Sequence, residues 1–378
     1  MDRAQLEAKL IEHPDDLDAY RVYADLLQSQ GDPRGELIAL ELAGKTDELA
    51  AYFDEHKAEL LGPLAPFAEA LADGDYDAFN WKLGFIRWAR LKWDFNEGPS
   101  DLQLGQVLGS LLAHPAAKLL QKLIVPYNMD DDGVYFEPII AKLAEVGAPE
   151  LRELRLGEFQ IAGPGGVQNG YDYDISWSSL GDASALWRAV PKLERLRIQA
   201  GLGGTASGGA SEVIGDFDLP NLKWLEVVTG GMNQACLQSF ANAKLPALEH
   251  MDLWLGSDNY GASGTAEDLQ PIFDGSGFPK LQHLGIMNSE LGDAFAEALA
   301  ASKILPQLRE LDLSYGTLGD EGAEALAAHA DRFRHLAKLD VSANCLTEAG
   351  EVQIGKLCAH AITGEQKDDD ERYASLGE

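Results

Sequence analysis

The sequence is poor in cysteine and has no long apolar run. Its 378 residues contain three cysteines, Cys236, Cys345 and Cys358, which are far apart and form no C-x-x-C pair. A disulfide framework or a cysteine-based zinc site is therefore not expected, and this usage is typical of a reducing cytoplasm. The N-terminus lacks the apolar segment of a signal peptide, and no apolar stretch approaches the length of a membrane span. We expect a cytoplasmic protein that does not cross a membrane.

Basic residues are also scarce. The chain has 30 Lys and Arg against 62 Asp and Glu, which gives a formal net charge of -32. Nucleic acids and anionic lipid surfaces bind proteins largely through Lys and Arg that neutralise negative charge. The composition therefore argues against nucleic acid or membrane as the partner, and it favours a partner with a basic or charge-polarised surface.

A repeated pattern, L-x-x-L-x-L, occupies the chain from residue 120 onward. The segments begin at Leu120, Leu151, Leu193, Leu222, Leu248, Leu281, Leu308 and Leu336. Their spacings are 31, 42, 29, 26, 33, 27 and 28 residues, and most are close to the length of one strand plus one returning helix. Because such a unit exposes apolar surface on both sides, it is stable only in a capped stack.

Each repeat predicts a short parallel strand followed by a return helix. The apolar residues at its fourth and sixth positions face the core, and the residue between them faces the concave side of the sheet. Asp320 and Glu321 suit the N-terminus of a return helix, and Asn344 stands where such repeats often use an asparagine to bond the turn backbone. The predicted fold is an α/β leucine-rich-repeat solenoid, with a curved parallel sheet inside and helices outside.

Helices are predicted before the stack, in residues 14–27, 35–42 and 46–60. They provide the α-helical cap that the first coil needs. We assign the chain to three parts: 1–62, the helical N-terminal cap; 63–362, the solenoid; and 363–378, an acidic C-terminal tail whose last residues are apolar enough to dock back.

Two parts of the chain resemble bacterial families. Residues 6–42 resemble the repeat-companion domain found ahead of leucine-rich repeats, through His13-Pro14-Asp15-Asp16, Tyr23-Ala24-Asp25-Leu26-Leu27 and Gly31-Asp32-Pro33-Arg34-Gly35-Glu36. Leu26-Leu27 departs from the tryptophan usual in that family. Residues 248–378 resemble an uncharacterised bacterial leucine-rich-repeat family, through segments such as Leu255-Gly256-Ser257-Asp258-Asn259-Tyr260-Gly261 and Arg372-Tyr373-Ala374-Ser375-Leu376-Gly377-Glu378. This second resemblance implies repeats of the ribonuclease-inhibitor type and no particular activity.

The concave face is the predicted site. The residue between the two inward positions is, strand by strand, Arg90, Ile124, Arg155, Arg197, Glu226, Asp252, Gly285, Asp312 and Asp340. Arg90 belongs to an additional strand expected within residues 81–91. Arginines come first and carboxylates follow, and such a gradient would steer a partner of complementary polarity. The alternative is that these charges only decorate a solvated sheet face.

Aromatic residues add to this surface. Trp88, Trp224 and Trp254 fall on outward positions, where exposed tryptophans are typical contact anchors unless loops cover them. Insertions at 157–190 and 256–280 carry aromatics and glycines, and they either bind a partner or pack over their own coils.

His250 and His283 occupy equivalent outward positions on neighbouring strands, beside Asp252. Two imidazoles and a carboxylate at this spacing can share a divalent metal. A metal-dependent enzyme with its site at these three residues is therefore the alternative function, although histidines on a polar face need no metal. The sequence shows no nucleophile–histidine–acid signature.

The favoured prediction is a non-catalytic scaffold, without a cofactor, that binds a protein or peptide through its concave face and aromatic loops. A third hypothesis is that the helical N-terminal part regulates a fused or co-expressed partner. The predicted contact residues are Trp88, Arg90, Arg155, Arg197, Trp224, Glu226, His250, Asp252, Trp254, His283, Asp312 and Asp340.

Overall fold

The structure, a computed structural model, describes residues 2–71, 77–92, 103–127, 134–158, 175–204, 212–368 and 372–375. Its strands are β1 (Phe79–Lys82), β2 (Phe85–Arg90), β3 (Lys122–Val125), β4 (Val134–Tyr135), β5 (Glu153–Leu156), β6 (Ser178–Ser179), β7 (Arg195–Gln199), β8 (Trp224–Val228), β9 (His250–Gly256), β10 (His283–Ser289), β11 (Glu310–Asp312), β12 (Lys338–Asp340) and β13 (Ala361–Ile362). Its α-helices are α1 (Arg3–Glu12), α2 (Leu17–Ser29), α3 (Arg34–Leu42), α4 (Thr46–Leu61), α5 (Ala65–Ala68), α6 (Leu104–Ala113), α7 (Glu137–Val146), α8 (Gln234–Ala241), α9 (Gln270–Asp274), α10 (Gly292–Ala301), α11 (Asp320–Ala327) and α12 (Glu348–Ile354).

One open sheet runs the length of the molecule. Its strands follow the order β1-β2-β3-β5-β7-β8-β9-β10-β11-β12-β13, and each pair from β2 onward is parallel. β1 and β2 form an antiparallel hairpin whose turn residues, Leu83 and Gly84, both have positive φ, as a two-residue hairpin loop requires. The additional strand expected within residues 81–91 is confirmed as β2.

The inward positions of the repeats form the core between the sheet and the outer helices. Leu123 and Val125 of β3 are at most 1% exposed, and the matching residues of the later strands are buried as well. The apolar cluster that they form extends from Leu61 to Cys358. The predicted alternation of inward and outward residues is confirmed, and with it the leucine-rich-repeat solenoid.

The N-terminal helices close the hairpin end of the sheet. Asp16 caps α2 by accepting a hydrogen bond from the backbone N of Ala19 at 2.9 Å. Tyr23 of α2 stacks on Phe85 of β2 with ring centroids 5.7 Å apart, and both belong to a cluster that also contains Leu119. The helices therefore cover the apolar surface of the first coil. α2, α3 and α4 confirm the predicted helices, whereas the division at residue 62 stays a prediction.

The described end of the chain folds back onto the last coils. Arg372 forms an ion pair with Asp293 of α10, and Ser375 donates its backbone N–H to the carbonyl oxygen of Tyr315 at 3.1 Å. Ala374, between them, is buried. The expected docking of the C-terminal residues is thus observed for 372–375.

None of the helices in the described ranges combines the length and the hydropathy needed to cross a lipid bilayer.

Asn344 ties together the turns that follow β11 and β12. Its Nδ2 donates to the carbonyl oxygens of Leu313 and Val341 at 2.8 and 3.0 Å, and its Oδ1 accepts from the backbone N of Leu318 at 2.9 Å. The side chain is fully buried. Removing it leaves these backbone groups unsatisfied away from solvent. The role predicted for an asparagine at this position is confirmed.

We predict that Asn344→Ala lowers the free energy of unfolding by about 2–4 kcal/mol, because several buried backbone groups lose their partner. Asn221→Ala is the matched control, since Asn221 is exposed and donates one hydrogen bond, to the carbonyl oxygen of Pro191. Its cost should stay below about 1 kcal/mol. Urea denaturation measures both, and equal losses would contradict the assigned role of Asn344.

Candidate functional site

The register of the sheet aligns outward side chains of neighbouring strands in two rows across the concave face. The first row contains Trp88, Lys122, Glu153, Arg195, Trp224, His250, His283, Glu310 and Lys338. The second row contains Arg90, Ile124, Arg155, Arg197, Glu226, Asp252, Gly285, Asp312 and Asp340. Apart from Trp254, every predicted contact residue lies in one of these rows. Their role in binding stays a prediction.

The arginines of the second row are paired within the face. Arg90 and Arg155 both form ion pairs with Glu158, which follows β5, and Arg155 also contacts Glu153 with Nη2 and Oε1 2.6 Å apart. Arg197 Nε lies 2.9 Å from Oε2 of Glu226 on the next strand. The arginine stripe expected from the sequence is therefore largely neutralised, by Glu226, which the strand pattern had indicated, and by Glu153 and Glu158, which it had not.

The second-row carboxylates of β11 and β12, Asp312 and Asp340, both accept hydrogen bonds from a serine in the turn that follows their strand. Asp312 accepts hydrogen bonds from the backbone N and the Oγ of Ser314 at 3.0 and 2.6 Å, and in the described ranges it forms no ion pair. Burial raises the pKa of Asp312, the Ser314 hydrogen bond opposes that rise, and the charge of Asp340 adds to it. Asp340 repeats the serine contact with Ser342 and also lies 3.1 Å from Lys338 Nζ.

The tryptophans have different environments. Trp88 and Trp224 are partly exposed on the first row, as expected. Trp254 faces the same side of the sheet beyond the two rows, yet only 4% of it is exposed. It stacks on Tyr315 at 5.1 Å and packs with Val228 and Met287. The expectation that Trp254 is an exposed contact anchor is wrong, because residues at the carboxyl ends of neighbouring strands and turns cover it.

His250, Asp252 and His283 form one hydrogen-bonded cluster. The Nε2 atom of His250 lies 2.7 Å from Asp252 Oδ2, and Nε2 of His283 lies 2.8 Å from Oδ1 of the same carboxylate. The two imidazole rings are parallel within 10° and 4.0 Å apart. The structure therefore brings together the three residues proposed from the sequence, in a geometry that ring stacking and one shared carboxylate both maintain.

The first row continues the cluster on both sides. Trp224 stacks on His250 with centroids 5.4 Å apart, and the Arg195 guanidinium lies 4.7 Å from the centre of the indole ring. On the other side, Nδ1 of His283 lies 3.0 Å from Oε2 of Glu310. Glu310 was not among the predicted residues. Its alignment with His250 and His283 in the repeat was the available signal.

Gly285 makes room for the Asp252 carboxylate. A Cβ at this position would lie 2.2 Å from Asp252 Oδ1, far inside van der Waals contact. The absence of a side chain on β10 lets the carboxylate of β9 extend to His283. Glycine at an outward position, which sequence patterning leaves without a role, is thus a condition for the cluster.

The electrostatics of the cluster favour its charged form. Burial opposes ionisation of Asp252, but hydrogen bonds from both histidines lower its pKa to about 2. Burial likewise opposes protonation of His283, yet the Asp252 and Glu310 contacts raise its pKa above the ordinary 6.5. Both ring nitrogens of His283 face carboxylates, and only the imidazolium has two N–H donors. Both carboxylate contacts therefore favour the imidazolium form of His283.

The two insertions differ in what they show. The segment after β9 packs over preceding coils. Its backbone at Tyr260 approaches Gly231 so closely that a Cβ at Gly231 would lie 2.2 Å from the carbonyl oxygen of Tyr260. In the earlier insertion, residues 159–174 lie outside the described residues. Trp187, in the part that follows, is buried against Phe217, whereas Trp177 is 68% exposed. In the insertion at 256–280, the contact near Tyr260 is therefore one of packing. A binding role for this insertion stays a prediction.

Comparison with known proteins supports the architecture. A family model described as Leucine Rich repeat matches residues 306–327, which contain β11 and α11. A solved Bacteroides fragilis protein, a structural-genomics target, is 23% identical over 89% of this chain and 87% of its own, with a TM-score of 0.61. The chain has a leucine-rich-repeat fold. An internalin from Listeria monocytogenes is 13% identical over 69% of this chain and 71% of its own, with a TM-score of 0.30. No curated protein matches the sequence.

We predict that the stability contributed by His283 depends on pH. Because its pKa is raised in the folded state, the contribution is complete below the unfolded value of 6.5 and is lost as the pH rises through the folded pKa. The difference in unfolding free energy between wild type and His283→Gln should shrink as the pH rises from 6.5 through the folded pKa. It is measured in a buffer that contains a metal chelator. His360→Gln, which changes an exposed histidine, is the control and should show a small difference. A constant difference for His283→Gln would count against the imidazolium.

Proposed function

We propose that the protein is a non-catalytic repeat scaffold that binds a basic segment of a protein or peptide on the carboxylates of β11 and β12. The observation that carries the proposal is the state of Asp312, whose carboxylate lies on the concave face next to Asp340 and forms no ion pair among the described residues, since Lys338 and His283 act on it only from beyond contact distance. A lysine or arginine from a partner would supply the missing charge.

The surrounding charges support the same partner chemistry. Asp312 and Asp340 are direct neighbours on adjacent parallel strands, which lie about 4.8 Å apart. Glu310, whose side chain is 48% exposed, adds a third carboxylate on the first row, where it also contacts His283. The net charge of -32 attracts a basic partner over longer distances. A leucine-rich-repeat solenoid also offers an extended concave surface for such a segment.

The arginines of the early coils are poorer candidates for a first contact. Arg155 and Arg197 already have carboxylate partners inside the face. A partner carboxylate would have to compete with those ion pairs. Reversing either charge would also place two anions together, so a loss of binding there would not distinguish a lost contact from a disturbed face.

We also propose that the protein is located in the cytoplasm. Cys236, Cys345 and Cys358 are all buried and form no disulfide. Reduced, buried cysteines suit a compartment in which thiols stay reduced.

The test is binding of the full chain to an array of synthetic peptides in which two arginines stand at varied spacing in a neutral background. We expect basic peptides to bind more tightly than neutral ones, and more weakly as salt is raised. Asp312→Asn with Asp340→Asn should weaken this binding at least about tenfold, which corresponds to about 1.4 kcal/mol. Asparagine keeps an oxygen that can accept from Ser314 and Ser342, so the local turns should persist.

The matched control is Glu321→Gln with Glu324→Gln on α11. It removes the same charge from two exposed positions on the outer helix. Its binding should remain close to wild type. Equal weakening by both double variants would reduce the effect to overall charge, and no preference for basic peptides would contradict the proposal.

A further inference from the structure

We propose that His250, Asp252 and His283 form a binding site for a late first-row divalent cation such as Zn²⁺. One ligand atom from each residue can be chosen so that all three lie within 4.8 Å of one another. Among the described residues, these three are the one group of histidine, cysteine or carboxylate side chains that meets this condition. None of the three ligands is a proposed peptide contact, although Glu310 lies between the two sites and contacts His283.

The donor set selects the type of ion. Two imidazole nitrogens and one carboxylate oxygen suit zinc and its neighbours in the first transition row, whereas magnesium and calcium prefer oxygen ligands throughout. Three protein ligands leave at least one coordination position of such an ion open. Here that position faces the concave side, because all three side chains project from the outward positions of β9 and β10.

A second feature that is typical of metal centres accompanies the ligands. A metal-bound histidine usually donates its other ring N–H to a carboxylate, which fixes the tautomer and the ring orientation. Glu310 Oε2 lies 3.0 Å from Nδ1 of His283, on the far side of the ring from Asp252. With Nδ1–H donating to Glu310, Nε2 of His283 is the nitrogen directed toward the ion. The orientation of the His250 ring is limited by a different contact, its stacking on Trp224.

Metal binding requires the two stacked rings to tilt, because rings parallel within 10° do not direct both Nε2 lone pairs at one ion. Ligand atoms about 2.0–2.1 Å from a tetrahedral zinc are about 3.3 Å from one another. The Nε2–Oδ contact to whichever Asp252 oxygen binds the ion, now 2.7 or 2.8 Å, would therefore widen by about half an ångström, and any ligand separation nearer the 4.8 Å limit of the set would shorten. The ion takes the place of the protons that Nε2 shares with Asp252, and those protons pass to the buffer. Gly285 leaves the space in which the carboxylate adjusts.

The experiment is a titration of the chelator-stripped full chain with Zn²⁺ by calorimetry, and with Co²⁺ by visible absorption. We expect one ion per chain and the absorption bands of a low-coordinate Co²⁺ centre. His250→Ala with His283→Ala should abolish stoichiometric binding. The control, His13→Ala with His360→Ala, removes two exposed histidines and should bind like wild type.

Two further variants leave all three ligands in place. Glu310→Gln should weaken binding by about 10- to 100-fold, the usual effect of removing a carboxylate behind a ligating histidine. Gly285→Ala should weaken binding as well, because its methyl group would occupy the position of Asp252 Oδ1. If the double histidine variant fails to fold, these two still decide the matter. Absence of stoichiometric binding by wild type, or affinities unchanged in both variants, would overturn the proposal.

Discussion

Burial of apolar side chains two positions apart on successive strands holds the sheet in a single register, and the concave face takes its geometry from that register. Leu123 and Val125 are typical of these inward residues. A slip by one residue would bring such side chains into water, at roughly 1.5–3 kcal/mol each, and would turn charges such as Asp252 toward the core. Core packing therefore determines which outward residues become neighbours on the concave face.

On the concave face, contacts between adjacent coils form a continuous chain across five strands. Arg195 lies over Trp224, Trp224 stacks on His250, His250 and His283 share Asp252, and His283 reaches Glu310. Partly exposed pairs of this kind contribute at most about 1 kcal/mol each. Their main consequence is positional, because each ring limits the rotamers of the next. A site made in this way is already ordered before any ligand arrives.

The solenoid could be predicted from the sequence because its determinants are local. The L-x-x-L-x-L segments, the helix at Asp320 and the bonding role of Asn344 all follow from residues within one or two repeats. The same alternation placed His250, Asp252 and His283 side by side. It could not show that Trp254 is covered, because Tyr315 reaches it from the turn after β11, two strands away. Which loop covers an outward residue depends on long-range packing. The alternation of inward and outward residues along one strand carries no information about it.

Charge was harder to predict than position, for a related reason. The order of arginines and carboxylates along the second row indicated a gradient of sign, whereas the structure pairs most of these charges and leaves Asp312 without an ion pair among the described residues. Arg155 and Arg197 are neutralised by Glu153, Glu158 and Glu226, while Asp312 has no such cation in the described residues. A binding partner that contacts a paired arginine must first break its ion pair, which costs free energy. Asp312, a half-buried carboxylate with a raised pKa, has no ion pair to break in the described ranges, so a new cation can contact it without that cost. This is why the proposed contact with a basic partner is assigned to Asp312 and its neighbour Asp340, in a chain whose net charge is -32.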